Sequence, residues 1–281
     1  MNSGLLLLLA PGLIWGASFL FIAEGLQAIG PSGVGFVRIC IGFATLAMFP
    51  AARKTVARED WGKVALLGLL WFAFPLLLFP FAEQRVSSAM TGMLNGANPI
   101  FATVVAAWLM KRWPSRGVAV GLAIGVFGTV LTALPSLGEG RSSALGIGMI
   151  VAALTSYGFA LSLARSLQQK YGGIPVIWRA QGVAVLMVGP FGVPDLLTAH
   201  WSLEPLLCLL ALGSFGTAIA NVLMAAAAGR FGAARASGTT FLIPVVALIL
   251  GVLVRHESVA WVSVAGCVVC LAGAWVMKRA V

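Results

Sequence analysis

FAEQRVSSAMTGMLNGANP at residues 81–99 and AAAGRFGAARASGTTFLIP at residues 226–244 are two versions of one segment. Overlaid at an offset of 145 residues, which carries 85 to 230, they pair Arg85 with Arg230, Ala89 with Ala234 and Pro99 with Pro244. The match extends without a gap over 64–134 and adds Gly68 with Gly213, Gly121 with Gly266 and Gly128 with Gly273. Both copies alternate apolar stretches with short charged hinges. If the unit holds five membrane helices, an odd number, the second copy must sit upside down relative to the first. That is the plan of a secondary transporter, whose site forms near the bilayer midplane where the halves meet. The expected division is a five-helix repeat over residues 1–140 and its inverted copy over 141–281.

The composition fixes the solvent. Hydrophobic residues make up 60% of the 281, charged residues only 9%, and the mean hydropathy is +1.01, outside the range of soluble domains. A net charge of +10 could suggest nucleic acid, but the basic residues lie in short loops rather than on one amphipathic face, so no nucleic-acid partner is expected. Spanning ~30 Å of hydrocarbon takes about 20 helical residues. Ten segments qualify, at 5–23, 31–50, 62–82, 86–109, 116–135, 144–165, 174–194, 203–228, 233–254 and 258–278. The expected fold is an all-α membrane protein of ten transmembrane helices in two inverted five-helix repeats. The first segment has no Lys or Arg before it and carries Trp15, so it reads as a retained helix rather than a signal peptide.

Loop charge orients the chain. With the N-terminus in the cytoplasm, only Arg85, Arg141 and Arg255 fall on the outer side, and Arg38 and Arg179 fall within helices. The other thirteen of the 18 Lys and Arg residues are cytoplasmic, as the positive-inside rule requires. Both termini are therefore expected in the cytoplasm, and the membrane is expected to be a bacterial-type inner one. Six of the nine tryptophans lie near segment ends, where an interfacial belt explains them. Trp15 and Trp71 lie mid-segment, either packing between helices or walling a pocket for an apolar ligand.

Every acidic residue (Glu24, Glu59, Asp60, Glu83, Glu139, Asp195, Glu204 and Glu257) falls in a loop or at a helix end, and His200 and His256 fall in outer loops. A proton-driven carrier usually holds an ionisable group at midplane, so the pattern points to facilitated transport. Glu24 and Glu83 are the exceptions to watch, since one turn of boundary error would sink either deeper. No paired-carboxylate site, metal motif or His-activated nucleophile is present in the sequence, which disfavours a membrane-embedded lipid-modifying enzyme, and no metal or cofactor is expected. Cys40, Cys208, Cys267 and Cys270 lie within helices, and no structural disulfide is implied.

Uncharged polar groups remain inside the membrane. Thr91, Asn95 and Asn98 share one helix face, as do Ser214, Thr217 and Asn221, while Ser237, Thr240 and Pro244 repeat the pattern. Ser and Thr at such positions suit interhelical hydrogen bonds; buried amides point rather to a polar cavity. Pro99 and Pro244 free the carbonyls of Asn95 and Thr240 at equivalent places in the two copies. Such carbonyls persist only beside protein or a wet cavity, and they suit a ligand with N–H groups such as an ammonium. The third segment, with Trp71, Phe72, Phe74, Pro75, Phe79, Pro80 and Phe81, forms an apolar wall opposite the polar eighth. Gly121, Gly125 and Gly128 with Gly266 and Gly273 mark close helix approach. Arg38 is expected first to snorkel to the interface, and second to bind an anionic group of the solute.

The chain resembles the EamA-type branch of the drug/metabolite transporter superfamily. The residues behind this are Trp15-Gly16-x-Ser18-Phe19, Phe81-Ala82-x-x-x-Val86, the paired Pro99 and Pro244, and the glycines of the fifth and tenth segments. The resemblance implies ten helices in two inverted halves and export of amino acids or other small metabolites, and within the branch it is nearest to YddG-like exporters of aromatic and hydrophobic amino acids. Small multidrug members use a glutamate within the first helix, which this sequence lacks mid-helix. The residues expected to bind solute are Trp15, Ser18, Trp71, Phe74, Asn95, Asn98, Tyr157, Thr217, Asn221 and Thr240, with gating at Pro75, Pro99 and Pro244. The expected partners are a small-molecule solute and the lipid bilayer, in a monomer or weak homo-oligomer.

Overall fold

The computed structural model describes residues 3–138, 141–232 and 236–280. Glu139, Ala234 and Arg235, which entered the sequence comparison, lie outside them. Among the described residues there is no strand. In chain order the helices are α1 (Ser3–Gly25), α2 (Pro31–Ala47), α3 (Arg58–Glu83), α4 (Ser88–Asn95), α5 (Asn98–Met110) and α6 (Arg116–Gly138). The second half holds α7 (Arg141–Tyr171), α8 (Gly173–Leu197), α9 (Leu203–Phe231), α10 (Leu242–Arg255, entered through a 3-10 turn Ser237–Phe241) and α11 (Trp261–Arg279). Eight of these described helices are long and apolar enough to cross a membrane, nine when α4 and α5 count as one bent span.

Two expected segments come out differently. The second, 31–50, stops at Ala47, leaving 17 residues. Pro50 disfavours helical backbone in the residue before it, and Phe49 is extended, at φ −86° and ψ 123°. The fourth, 86–109, is broken between Asn95 and Asn98, with its two parts bent by 42°. The break falls at Pro99, which cannot donate to the Asn95 carbonyl. Its copy, Pro244, stands at the third residue of α10, just after the 3-10 turn that carries Thr240. Both prolines therefore open a helix at the point where regular backbone has just been interrupted.

A second symmetric feature has no letter in the sequence. Within α3, Gly68–Ala73 is π-helical, and within α9, Leu212–Ile219 is π-helical. The 145-residue offset carries 68–73 onto 213–218, inside the second stretch. A π turn is rare and costs helical regularity, and it recurs at functional sites. Pro75 follows the first π stretch directly, so its missing N–H falls where the ladder is already interrupted.

The glycines of α6 and α11 hold the two helices against each other. A Cβ on Gly121 would lie 2.8 Å from the Gly273 carbonyl oxygen, and one on Gly128 would lie 2.7 Å from that of Gly266. Backbone meets backbone, the contact small residues permit in a membrane. This pair joins the last helix of one repeat to the last of the other and leaves the centre to the remaining helices, chiefly α1, α3, α4, α5, α7 and α9, with α2, α8 and α10 each adding one or two residues.

Candidate functional site

A cavity of about 600 Å³ lies at that centre, within the usual range for small-molecule sites. Its buried end is formed by Phe19, Ile22 and Phe79, and it reaches Gln168, Gly173, Ala228 and Ser237 near helix ends at the other. Nine of the ten residues singled out as solute contacts line it: Trp15, Ser18, Trp71, Asn95, Asn98, Tyr157, Thr217, Asn221 and Thr240. Pro99 lines it as well, while Pro75 is buried behind it and Pro244 lies in the core beside it. Phe74 does not line it. That ring is 41% exposed on the outer surface of the bundle. Phe74 follows the wide turn at Gly68–Ala73, which turns through less angle per residue than a regular helix and so rotates Phe74 relative to Trp71. The wall instead runs through Trp71, Phe72, Leu76 and Phe79.

One wall is aromatic. Phe79 approaches Phe19 edge-on at 5.7 Å between ring centroids and Tyr157 at 6.1 Å, ordinary geometry for aromatic pairs. Among the described residues the Tyr157 hydroxyl has no hydrogen-bond partner in the protein, and Tyr157 lines the cavity.

The facing wall is organised by the π stretch of α9. Where the regular ladder widens, carbonyls open to side-chain donors. The Trp15 indole N–H donates to the Gly216 carbonyl at 3.0 Å. The Thr217 carbonyl accepts from the Gln181 amide at 2.8 Å and from the Asn221 amide at 3.1 Å. The Thr217 hydroxyl donates five residues back, to the Leu212 carbonyl at 3.1 Å, and accepts from Arg38 Nε at 3.2 Å. Thr217 and the Asn221 amide nitrogen, on residues expected to bind solute, thus also bond to the scaffold. Thr240 donates to the Ser237 carbonyl and Ser18 to the Ile14 carbonyl. By contrast Asn98 Oδ1 is buried with no partner among the described residues.

Gln181 takes a place that sequence reasoning did not assign it, and Arg38 departs from the first of its two expected places. Gln181 is fully buried and ties α8 to α9, yet a lone amide in an apolar helix has no periodic companion to mark it. Arg38 was expected first to snorkel. Its side chain instead lines the cavity, and the residue is only 5% exposed. An interfacial arginine would carry its head outward.

The buried end is sealed by ion pairs. The Glu257 carboxylate accepts from the Ser88 and Ala89 backbone N–H groups at 3.0 and 2.9 Å and from the Ser88 hydroxyl at 2.8 Å, capping α4. Arg255 pairs with Glu24 of α1 and lies 3.4 Å from Glu257. Glu83, at the end of α3, has both carboxylate oxygens buried without a partner among the described residues. The sequence placed Glu83 at a helix end; the structure places it there and under cover.

The chain belongs to the EamA-like transporter family, which matches it twice, over residues 2–134 and 144–279. An uncharacterized transporter of Archaeoglobus fulgidus is 23% identical over 265 residues, covering 94% of this chain and 95% of that protein. A probable terminal-alkyne amino-acid exporter of Streptantibioticus cattleyicolor is 23% identical over 273 residues, covering 94% of this chain and 90% of that one. A solved crystal structure, 18% identical, covers 98% of both chains with a TM-score of 0.65 and shares the fold. The chain is accordingly an integral membrane transporter and not an enzyme.

Proposed function

We propose that this EamA-family transporter exports amphiphilic metabolites, aromatic and other hydrophobic amino acids first among them, by alternating access as a facilitator. The observation that carries the reading is the central cavity, with an aromatic wall on α3 and α7 and a polar wall on α9. The name of the Streptantibioticus cattleyicolor relative, an amino-acid exporter, agrees with that solute class. In this reading α2 and the α4–α5 pair each cross the bilayer, which completes ten spans in two inverted repeats, 1–140 and 141–281. Loop charge puts both termini in the cytoplasm of a bacterial-type inner membrane. The cavity then opens inward, and the Glu24–Arg255–Glu257 cluster closes the outside. The breaks at Pro99 and Pro244 and the turn before Pro75 serve as hinges, since interrupted helices flex where the ladder is incomplete.

The facilitator mode rests on the lining. No Asp, Glu, Lys or His is among the described lining residues, so no carboxylate in the solute path exchanges protons with the cavity. Glu83, buried without a partner, supports a second reading, proton antiport by the same fold.

Purified protein in proteoliposomes, given labelled phenylalanine or leucine with and without an imposed pH gradient, tests both. Saturable flux indifferent to the gradient is expected. Uphill accumulation driven by it would replace the facilitator with the antiporter and make Glu83→Gln the variant to lose coupling. Absence of saturable flux for any amino acid would remove the solute assignment. Asn95→Ala, which removes a 9% exposed cavity amide, should lower flux severalfold at unchanged expression and melting temperature; equal flux would take Asn95 out of the binding surface.

A further inference from the structure

We propose that Arg38 is the anion-recognition residue of the cavity, gripping the carboxylate of the solute, so that the transported class is carboxylates and zwitterions and cationic amphiphiles are refused. The inference rests on the exporter reading above and narrows its substrate.

Arg38 stands mid-way along α2 and is the one charged residue among those described as lining the cavity. A guanidinium carries five N–H donors in a planar fork. Only Nε has a protein partner among the described residues, the Thr217 hydroxyl at 3.2 Å. The two terminal nitrogens have no protein partner among the described residues and keep some accessible surface, and with Arg38 in the lining that surface is the cavity's. Among the described residues no carboxylate lies within ion-pair distance of the group. Glu83 is the buried carboxylate that acts on Arg38, from beyond ion-pair distance and from outside the lining; a charge buried without a contacting counter-ion is costly, and an ionisable side chain inside a membrane bundle calls for a partner. The solute is the partner the cavity admits.

The orientation of the fork follows from the same contact. Thr217 holds Nε, and its own hydroxyl is tied to Leu212 while its carbonyl takes Gln181 and Asn221. This network leaves the terminal nitrogens as a parallel pair, the geometry that meets a carboxylate with two charge-assisted hydrogen bonds. A lysine would supply charge without the fork. The remaining surface suits the rest of an amino acid. Trp15, Trp71, Phe72 and Phe79 offer rings to a side chain, and Asn95 brings an amide to the lining, suited to an ammonium. With no carboxylate in the lining to offset it, the positive charge of Arg38 repels a cation that brings no anion of its own.

The test compares phenylalanine, phenylalaninamide (ammonium but no carboxylate) and 3-phenylpropionate (carboxylate but no ammonium) on the purified full-length protein. Flux in proteoliposomes and ligand-induced shift of the melting temperature in detergent are the two readouts. Wild type should bind phenylalanine and 3-phenylpropionate and bind the amide at least about tenfold more weakly, the loss expected for a charge-assisted contact. Arg38→Gln should bring acid and amide to the same affinity. Arg38→Lys should retain part of the preference for the acid and guards against a variant that fails to fold. Equal binding of acid and amide by wild type, or an unchanged preference in Arg38→Gln, overturns the proposal. If wild type moves no amino acid, the exporter reading falls, while the melting-temperature shift with 3-phenylpropionate still decides for or against anion recognition by Arg38.

Discussion

At Leu70, in the π stretch of α3, the carbonyl accepts one side-chain donor, the Ser156 hydroxyl at 2.7 Å. In the copied stretch of α9 the carbonyls of Gly216 and Thr217 accept an indole and two amides, and the Thr217 hydroxyl takes an arginine besides. The backbone irregularity is the same in both halves; the side chains that answer it are not. On the proposed alternating-access reading, the duplicated chain keeps the interrupted geometry twice because both halves move, and lets one copy become an apolar wall while the other becomes a polar one. The asymmetry of the solute is met by divergence within a symmetric frame.

The largest expected effects come from two glycines at the start of these stretches, Gly68 as the first residue of one and Gly213 as the second of the other, a pair under the repeat. A Cβ on Gly68 would lie 2.6 Å from the Ala180 carbonyl oxygen in α8. One on Gly213 would lie 2.5 Å from Ile41 Cβ and 3.0 Å from the Arg38 carbonyl oxygen in α2. Valine at either place should cost about 1–3 kcal/mol, the usual penalty of overpacking, read as a lower melting temperature in detergent. The two penalties should be similar, since a carbonyl oxygen and a β-carbon are both fixed by the backbone and neither can turn aside. A neutral Gly68→Val with a damaging Gly213→Val would mean that only the polar half needs its close approach, and would break the symmetry of the frame itself.

A middling effect is expected from Ser156→Ala, which takes away the side-chain donor of the Leu70 carbonyl on the apolar side. The loss should be about 1 kcal/mol, a typical hydrogen bond with its acceptor left buried. It should appear in thermal unfolding and leave solute preference alone, because Ser156 does not line the cavity. A changed preference between phenylalanine and leucine in the flux assay would instead show that this hydroxyl sets the position of Trp71.

What the sequence discloses follows from which forces leave a residue pattern. Apolar runs of span length, the paired prolines and the glycines of α6 and α11 are all stated in letters, so the class of fold and the repeat were legible. The count of full crossings was less so. Pro50 ends α2 at Ala47 by a local steric effect that hydropathy does not weigh, and the Asn95–Asn98 break splits a segment whose apolar length is ample. The π turns were illegible, since a change in hydrogen-bond spacing costs no particular residue. That one omission hid why Phe74 turns away from the cavity. It also hid the reason Thr217 and Asn221 bond to the backbone, for their acceptor exists only where the turn widens. Arg38 was visible, but its direction was not: one arginine mid-way along a helix can turn to lipid or interior, and packing of α2 on α9 decides.

Gln181, the residue the sequence concealed best, should give the smallest change in stability and therefore the sharpest separation of scaffold from site. Its amide N–H donates to the Thr217 carbonyl, but Asn221 donates there too, at 3.1 Å. Its own Oε1 is buried without a partner among the described residues, a cost of about 1–3 kcal/mol in such surroundings. Gln181→Leu removes the redundant bond and the unsatisfied oxygen together. The two changes oppose each other, so the melting temperature should move little, by the equivalent of less than about 1 kcal/mol. Transport should respond more than stability does. With one of its two donors gone, the Thr217 carbonyl and the hydroxyl beneath Arg38 are held less firmly, which should raise the KM for phenylalanine while leaving the melting temperature near that of wild type. If Gln181→Leu instead melts early and transports with an unaltered KM, the amide is a structural tie between α8 and α9, and the polar wall of α9 positions its arginine without help from α8.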